Sequence, residues 1–162
     1  MVFTLASCSK KLDTPVLPQT DFFGPKVTVY FTKASEDLGV ILIPVTRKIE
    51  DGKSAYETAI AQLFLGPTYE EREKLKLHTE VPEGARLIKV DERGGEVKID
   101  VSSQFMTGGG SETMQVRFRQ LRETALNLAK GRPVFLYIDG TKVQMIGGEG
   151  LEVPQPLDSE DE

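Results

Sequence analysis

Pairs of carboxylates can act as general acid and general base, so acidic residues next to turns are the first candidates for chemistry. In this sequence they are Asp91, Glu92, Asp100 and Asp139. The end of a hairpin accounts for Asp91 and Glu92, and a tight turn accounts for Asp139. Asp100 falls on the solvent side of a predicted strand; alternatively, it caps the loop that follows. The four positions do not indicate a catalytic pair.

The sequence holds one histidine and one cysteine in 162 residues, which excludes an internal disulfide and a Cys/His zinc site. A histidine-dependent triad would have to use His78, whose neighbours Leu77 and Thr79 and the nearby Pro82 indicate a surface turn. We therefore predict no catalytic, cofactor-binding or metal-binding residue, and no cofactor.

Glycine loops and arginines could bind anions, but their patterns favour plainer roles. Gly108–Gly110 lacks the spacing of a phosphate-binding loop and predicts a flexible start to a helix. Ile146–Gly150 is weaker than a dinucleotide fingerprint, because no helix pattern follows it. Nucleic-acid sites usually add stacking aromatics to basic residues. Without them, a solvated basic face with no nucleic acid is predicted for Arg117, Arg119, Arg122 and Arg132.

Leu5-Ala6-Ser7-Cys8 resembles a bacterial lipobox, in which an aliphatic residue and two small residues precede the lipidated cysteine. The seven residues before Cys8 contain no Lys or Arg, so residues 1–8 are interpreted as the remnant of a signal peptide. Residues 9–25 are polar and proline-punctuated, as expected of a tether. We predict lipid attachment at Cys8 and an extracytoplasmic, membrane-anchored protein; the alternative is a lone exposed thiol.

Charge is distributed unevenly. Six of the 25 acidic residues lie in residues 148–162, which hold no base, so residues 1–147 carry 20 basic and 19 acidic side chains. A proline-containing acidic stretch buries too little apolar surface to offset its ordering entropy. We predict one domain over residues 26–147 and an acidic disordered tail over residues 148–162.

Apolar periodicity predicts both strands and helices. Alternation marks strands around Val27–Phe31 and Val97–Val101, and the continuous run Val40–Val45 predicts a central strand covered on both faces, weakened at Pro44. Helical spacing follows a capping box at Ser54 and Glu57 and ends at Gly66. A second helix, with Ser111 as its N-cap, has its apolar stripe at Met114, Phe118, Leu121, Ala125 and Leu128.

Two hairpins complete the pattern. Arg93-Gly94-Gly95 joins Arg86–Glu92 to Glu96–Ser102, and Asp139-Gly140 joins Val134–Ile138 to a partner strand over Lys142–Ile146. Residues 68–77 predict a short, charged helix. Hairpins interleaved with helices indicate an α+β fold (an α/β sandwich), with a mixed or mainly antiparallel sheet and two helices packed on one face.

Several segments together resemble the GerMN domain family of sporulation and germination lipoproteins, over about residues 26–147. They are Ala61–Thr68, Val81–Leu87, Gly95–Ser102, Gly108–Gly110, Gln120 with Thr124, and Phe135–Gly140. One copy of the domain is present, whereas the namesake of the family carries two in tandem.

This resemblance implies a module similar to the ring-building motifs of secretion rings, whose copies associate head to tail. We expect a non-catalytic, lipid-anchored association module acting in sporulation, germination or cell-wall remodelling. Its expected partners are envelope proteins or locally concentrated copies of itself, with membrane contact through the lipid only; peptidoglycan remains an open alternative. The isolated domain is expected to be a monomer. The alternative functions are an exported small-ligand or glycan-binding protein and a carbohydrate-acting hydrolase.

Overall fold

A computed structural model describes residues 24–146 and 150–158, which contain three α-helices, one 3-10 turn (Ser103–Met106) and eight strands. The helices are α1 (Ala55–Leu65), α2 (Tyr69–Leu75) and α3 (Ser111–Leu126). The strands are β1 (Lys26–Ser35), β2 (Gly39–Lys48), β3 (Leu87–Asp91), β4 (Val97–Val101), β5 (Val134–Ile138), β6 (Thr141–Lys142), β7 (Met145–Ile146) and β8 (Leu151–Glu152). The predicted α+β class is confirmed.

Strands β1 and β2 form an antiparallel ribbon, paired from Lys26 opposite Lys48 to Ser35 opposite Gly39. The prediction that β2 is covered on both faces is wrong, because Val45 is its only buried residue and Pro44 is exposed. An apolar run satisfies a strand with one packed face equally well. Among the described strands, β2 pairs with β1 alone, so its other edge makes no strand pairing there.

A second, mixed sheet has the strand order β3-β4-β5-β6. The predicted hairpin across Arg93-Gly94-Gly95 pairs β3 with β4, and α3 lies in the crossover that makes β4 and β5 parallel. The partner strand predicted over Lys142–Ile146 is divided instead. Its first part, β6, pairs with β5, and its second part, β7, pairs with β8, so the described strands form three separate groups.

Helices α1 and α3 pack against each other and against β1. Ser54 and Glu57 form the predicted capping box at the start of α1, and the main chain of Gly66 closes its end. Helix α3 begins at Ser111 with Gly110 as its N-cap, so the prediction of Ser111 as the cap is wrong by one residue. The core between the helices and the strands includes Phe31, Ile60, Leu63, Ile99, Phe105, Leu121 and Leu136.

Helix α2 contributes no buried residue and is fastened to β2 by one ion pair. The Arg47 guanidinium donates two hydrogen bonds to the Glu71 carboxylate, at 2.8 and 2.6 Å, and lies over the Phe31 ring. Burial raises the pKa of Glu71, but hydrogen bonds from Arg47 and from the main chain of Thr68 outweigh this effect and hold its pKa below the ordinary value.

Residues 150–158 pack on the domain, so the predicted disorder of the acidic tail is wrong for this segment. Val153 is 3% exposed and Leu157 is 0% exposed. The Leu157 amide donates to the Val134 carbonyl at 2.7 Å, and the Gln155 side-chain amide pairs with both main-chain groups of Leu136. Val153 and Leu157 thus bury apolar surface, although the tail as a whole is acidic and polar.

Leu157→Ala should lower the free energy of unfolding by about 2–4 kcal/mol, because it leaves a cavity where a fully buried side chain stood. Urea titration followed by circular dichroism measures the change. The matched control is Leu38→Ala, which removes the same atoms from an exposed position and should change stability by less than about 0.5 kcal/mol. Equal effects of the two substitutions would mean that residue 157 does not belong to the core.

Acid should weaken the attachment of α2. Because the folded pKa of Glu71 is depressed, its stabilising contribution is complete above about pH 4.3 and is lost as the pH falls through the folded value. Glu71→Gln should therefore lower stability at pH 7 and flatten the decline of stability in acid. Urea titrations from pH 7 to pH 3 measure both, with Glu70→Gln on the exposed face of α2 as the control. Parallel pH profiles for the native chain and Glu71→Gln would contradict the assignment.

Candidate functional site

A line of polar side chains runs down the buried side of α3. Arg117, Gln120 and Thr124 are spaced at i, i+3 and i+7, and all three are buried. This spacing places them on one helix face, beside the apolar stripe. Gln120 and Thr124 are part of the family resemblance, whereas the predicted solvated basic face wrongly included the buried Arg117. Its spacing from those two residues was the signal that could have revealed it.

Arg117 is 2% exposed, and its guanidinium is surrounded by main-chain carbonyls. Its Nε donates to Glu80 O at 2.7 Å, Nη1 to Phe105 O at 2.7 Å and Thr107 O at 3.0 Å, and Nη2 to Gly108 O at 3.0 Å. Burial lowers the pKa of Arg117, and the Glu80 carboxylate partly opposes that effect. Arg117 therefore fixes the loop before α3, which we had predicted to be flexible.

Gln120 and Thr124 attach α3 to the edge of β1. The Tyr30 amide donates to Thr124 Oγ1 at 3.1 Å, and Gln120 Nε2 donates to Tyr30 O at 3.1 Å. Gln120 Oε1 accepts from the Glu80 amide at 2.8 Å. Side chains of a helix thus take the place of a neighbouring strand, and the polar line on α3 is structural.

The candidate carboxylates each have a structural partner. Asp100 is buried, contrary to its predicted place on the solvent side, and its Oδ1 accepts from the Gly140 amide at 2.9 Å. Asp139 accepts from the Ser103 amide at 3.3 Å. The turn at residues 139–140 covers Asp100, which explains its burial. The alternative role considered for Asp100, capping the loop after its own strand, is replaced by a bond to this more distant turn.

The hairpin carboxylates pair with arginines. Asp91 accepts two hydrogen bonds from the Arg93 side chain, at 2.8 and 2.6 Å, and these bonds, together with one from the Arg93 main chain, lower the pKa of Asp91. Glu92 pairs with Arg132 at 3.0 Å. Each of these two carboxylates is thus bound by an arginine, so the geometry offers no acid–base couple here.

The four arginines predicted as one basic face have separate surroundings, so that prediction is wrong. Arg117 is buried, Arg122 donates to Leu157 O at 2.7 Å, and Arg132 bonds Glu92. Arg119 alone among the four is exposed. His78 is exposed, as predicted, and its main chain exchanges two hydrogen bonds with Thr32.

An open groove of about 390 Å³ lies where the β1–β2 ribbon meets α3. It is lined by Tyr30, Leu38, Val40, Ile41, Leu42, Arg119 and Glu123, and we call it the ribbon groove. Leu38 at the hairpin turn is 74% exposed. Arg119 Nη2 donates to Val40 O at 3.0 Å across it. Apolar walls with one cation and one anion suit an apolar or peptide surface better than a reacting substrate.

Several sequence predictions fall wholly or partly outside the described residues, among them the part of the acidic tail at residues 159–162. Cys8 and the first 23 residues lie there, as do residues 147–149 of the glycine-rich Ile146–Gly150 segment. Within residues 24–146 and 150–158, no three His, Cys, Asp or Glu side chains are grouped so that they could hold a metal ion. No helix of the same ranges is long and apolar enough to cross a membrane.

Known structures define the class of this fold, which is that of GerMN domains. The first GerMN domain of the sporulation protein GerM from Bacillus subtilis matches with a TM-score of 0.61 and 17% identity, over 81% of this chain and 95% of that one. The tandem GerMN domains of the same protein match with a TM-score of 0.60 and 22% identity, over 78% of this chain. This chain spans 43% of the tandem structure.

A family model places the chain more narrowly. Residues 28–144 match the Germane family, described as sporulation and spore germination, and the chain belongs to that family. No curated protein sequence matches significantly. The predicted GerMN resemblance is thereby confirmed.

Replacing Arg117 should test its structural role. Arg117→Ala leaves a group of buried carbonyls unpaired and should cost about 3–5 kcal/mol of unfolding free energy. Arg117→Lys should cost about 2 kcal/mol, because one ammonium cannot reach carbonyls on both sides of a planar fork. The lysine variant also gives a measurable free energy of unfolding if the alanine variant does not fold.

The matched control for this substitution is Arg119→Ala, two residues along the same helix. It removes an exposed side chain and should change the unfolding free energy by less than about 0.5 kcal/mol in urea titrations. If Arg117→Lys proved as mild as Arg119→Ala, the buried carbonyl cluster would not depend on the guanidinium.

Proposed function

We propose that this GerMN-domain protein is a non-catalytic association module, anchored to the outer side of a bacterial membrane through lipid on Cys8. Its role would lie in sporulation, germination or cell-wall remodelling, where it would bind proteins of the cell envelope. The Germane family, described as sporulation and spore germination, gives the setting.

The ribbon groove is the observation that carries the proposal. The polar side chains that were candidates for chemistry are engaged within the domain. Arg117, Asp100 and Asp139, for example, bond main-chain groups of other residues. The ribbon groove, by contrast, presents apolar side chains to solvent, with Leu38 and the partly exposed Val40 and Leu42 on its wall. Contiguous exposed apolar surface on a small domain is typical of a protein-binding site.

The resemblance of Leu5–Cys8 to a lipobox supports the anchor. A single acyl chain binds membranes only marginally, at about 0.8 kcal/mol per buried methylene, so stable anchoring needs two chains or more. A diacylglyceryl group on Cys8 meets that requirement. The tether of residues 9–25 would then separate the domain from the lipid surface.

An alternative is an exported binder of small ligands or glycans. Such sites are concave and carry several convergent polar groups. The ribbon groove is open and offers Arg119 and Glu123 at its border, which favours a protein surface as its occupant. The geometry supports a carbohydrate-acting hydrolase least, since Asp91, Glu92 and Asp100 each bond to a structural partner.

Cys8→Ala, expressed from the native gene in the source bacterium, should move the protein from the membrane pellet to the soluble extracytoplasmic fraction. Fractionation followed by immunoblotting measures the shift, and metabolic labelling with a fatty acid should mark every variant that keeps Cys8 but not Cys8→Ala. Ser9→Ala, one residue beyond the lipobox cysteine, is the control and should stay in the pellet. A Cys8→Ala protein that remains in the pellet would refute lipid anchoring.

A further inference from the structure

The outer edge of β2 offers main-chain groups to a partner. On β1, Thr32 exchanges both of its main-chain hydrogen bonds with His78, so at this position β1 faces away from β2. In an antiparallel pair such residues alternate with those that bond across the ladder. Leu42 stands opposite Thr32, and its N–H and C=O therefore point to the outer edge, as do those of Val40, Pro44 and Thr46.

Several positions on this edge cannot take part in pairing. Pro44 has no N–H to donate. The Val40 carbonyl accepts from Arg119 Nη2 at 3.0 Å, and the Thr46 carbonyl accepts from Arg47 Nη1 at 3.3 Å. The groups left at the centre are the N–H of Val40, both main-chain groups of Leu42 and the carbonyl of Pro44. No described strand pairs with them.

We infer that the partner of this edge is the β2 strand of a second copy, paired antiparallel about a two-fold axis at Leu42. In that register the two Leu42 residues bond each other through both N–H and C=O groups. Val40 then lies opposite Pro44 of the partner copy, so its N–H reaches the proline carbonyl. Pro44 has no N–H, and the group opposite it is the Val40 carbonyl of the partner copy. Arg119 already donates to that carbonyl, so the missing donor leaves no acceptor unpaired.

Other registers leave central main-chain groups of β2 without a hydrogen-bond partner. Shifting the axis so that Leu42 faces Val40 aims the Leu42 N–H at the carbonyl occupied by Arg119. Shifting it so that Leu42 faces Pro44 leaves the Leu42 carbonyl without a donor. An unpaired group taken out of water costs about 1–3 kcal/mol, and two-fold symmetry doubles that cost. The Leu42-centred register is the one among these that leaves no central group unpaired.

Charge favours the same register. With Leu42 facing Leu42, the aligned part of the two β2 strands ends at Gly39 opposite Val45 of the partner copy, so the hairpin turn that carries Glu36 lies next to the end of β2 that carries Lys48. Glu36, Asp37 and Lys48 are exposed. Within one chain, Lys48 and Glu36 lie at opposite ends of the ribbon, so they cannot pair intramolecularly. The basic end of each copy thus meets the acidic turn of the other.

This inference rests on the proposed association function and names a second copy as one partner. A few main-chain bonds and a narrow apolar strip belong to the weak end of protein interfaces, so the chain should be monomeric at micromolar concentration and pair near millimolar concentration or on a membrane. The contact is isologous and closes on itself, unlike the head-to-tail contacts of ring-building modules.

Sedimentation of the purified, unlipidated full chain, from about 10 µM to about 1 mM under reducing conditions, tests the pairing. Lys48→Glu and Glu36→Lys should each weaken dimerisation about tenfold, and the double variant should recover to within about threefold of the native chain. Thermal unfolding should show all variants folded. Absence of dimer at 1 mM, or a folded double variant that does not recover, overturns the proposal.

The register has its own test in a Cys8→Ser background. Leu42→Cys places two thiols at paired positions, within reach of a disulfide, whereas Val40→Cys places them about 14 Å apart along the strands. Mild oxidation should crosslink Leu42→Cys at least about tenfold faster than Val40→Cys. Equal rates would overturn the register. These assays use no membrane, so their failure leaves the Cys8 anchor standing, and failure of the anchor leaves the pairing standing.

Discussion

The bonds between the buried Arg117 guanidinium and four main-chain carbonyls are the polar contact on which the arrangement around α3 depends. They join α3 to the loop at residues 105–108 and to Glu80, segments far apart in the chain. The planar fork of an arginine suits several carbonyls at once, and carbonyl dipoles offset part of the cost of burying its charge. Where the loop and β1 lie relative to α3 follows from this contact and from its neighbours Gln120 and Thr124.

A second theme is the use of side-chain amides and hydroxyls as substitutes for strands. Gln120 and Thr124 satisfy the main chain of Tyr30 on β1, and Gln155 satisfies Leu136 on β5. Main-chain groups at a sheet edge otherwise attract other chains. These edges are satisfied from within the chain, whereas no described strand covers the outer edge of β2 beside the ribbon groove, and this is the edge for which we propose a partner.

Much of the fold was predictable from local patterns. The capping box at Ser54, the apolar stripe of α3 and the β3–β4 hairpin each follow from a few adjacent residues, and all are present. The failures concern long-range contacts. Alternation places Asp100 opposite the core side chains of β4, but it cannot show that the turn at residue 140 covers that side. Likewise, the charge of the tail hides Leu157. The spacing of Arg117 from Gln120 and Thr124 indicates a shared helix face, but it cannot show the distant carbonyls that surround the guanidinium.

The position of Leu157 has a consequence for how the chain folds as it is synthesised. Residues emerge from the ribosome in order, and segments near the N-terminus can begin to organise first. Leu157 caps the core beside Val134 on β5 and also receives Arg122 from α3. Without Leu157, the start of β5 at Val134 lacks the side chain that packs beside it, and apolar surface there stays in contact with water. The core of the domain is therefore completed by a segment that follows the last strand of the mixed sheet in the chain.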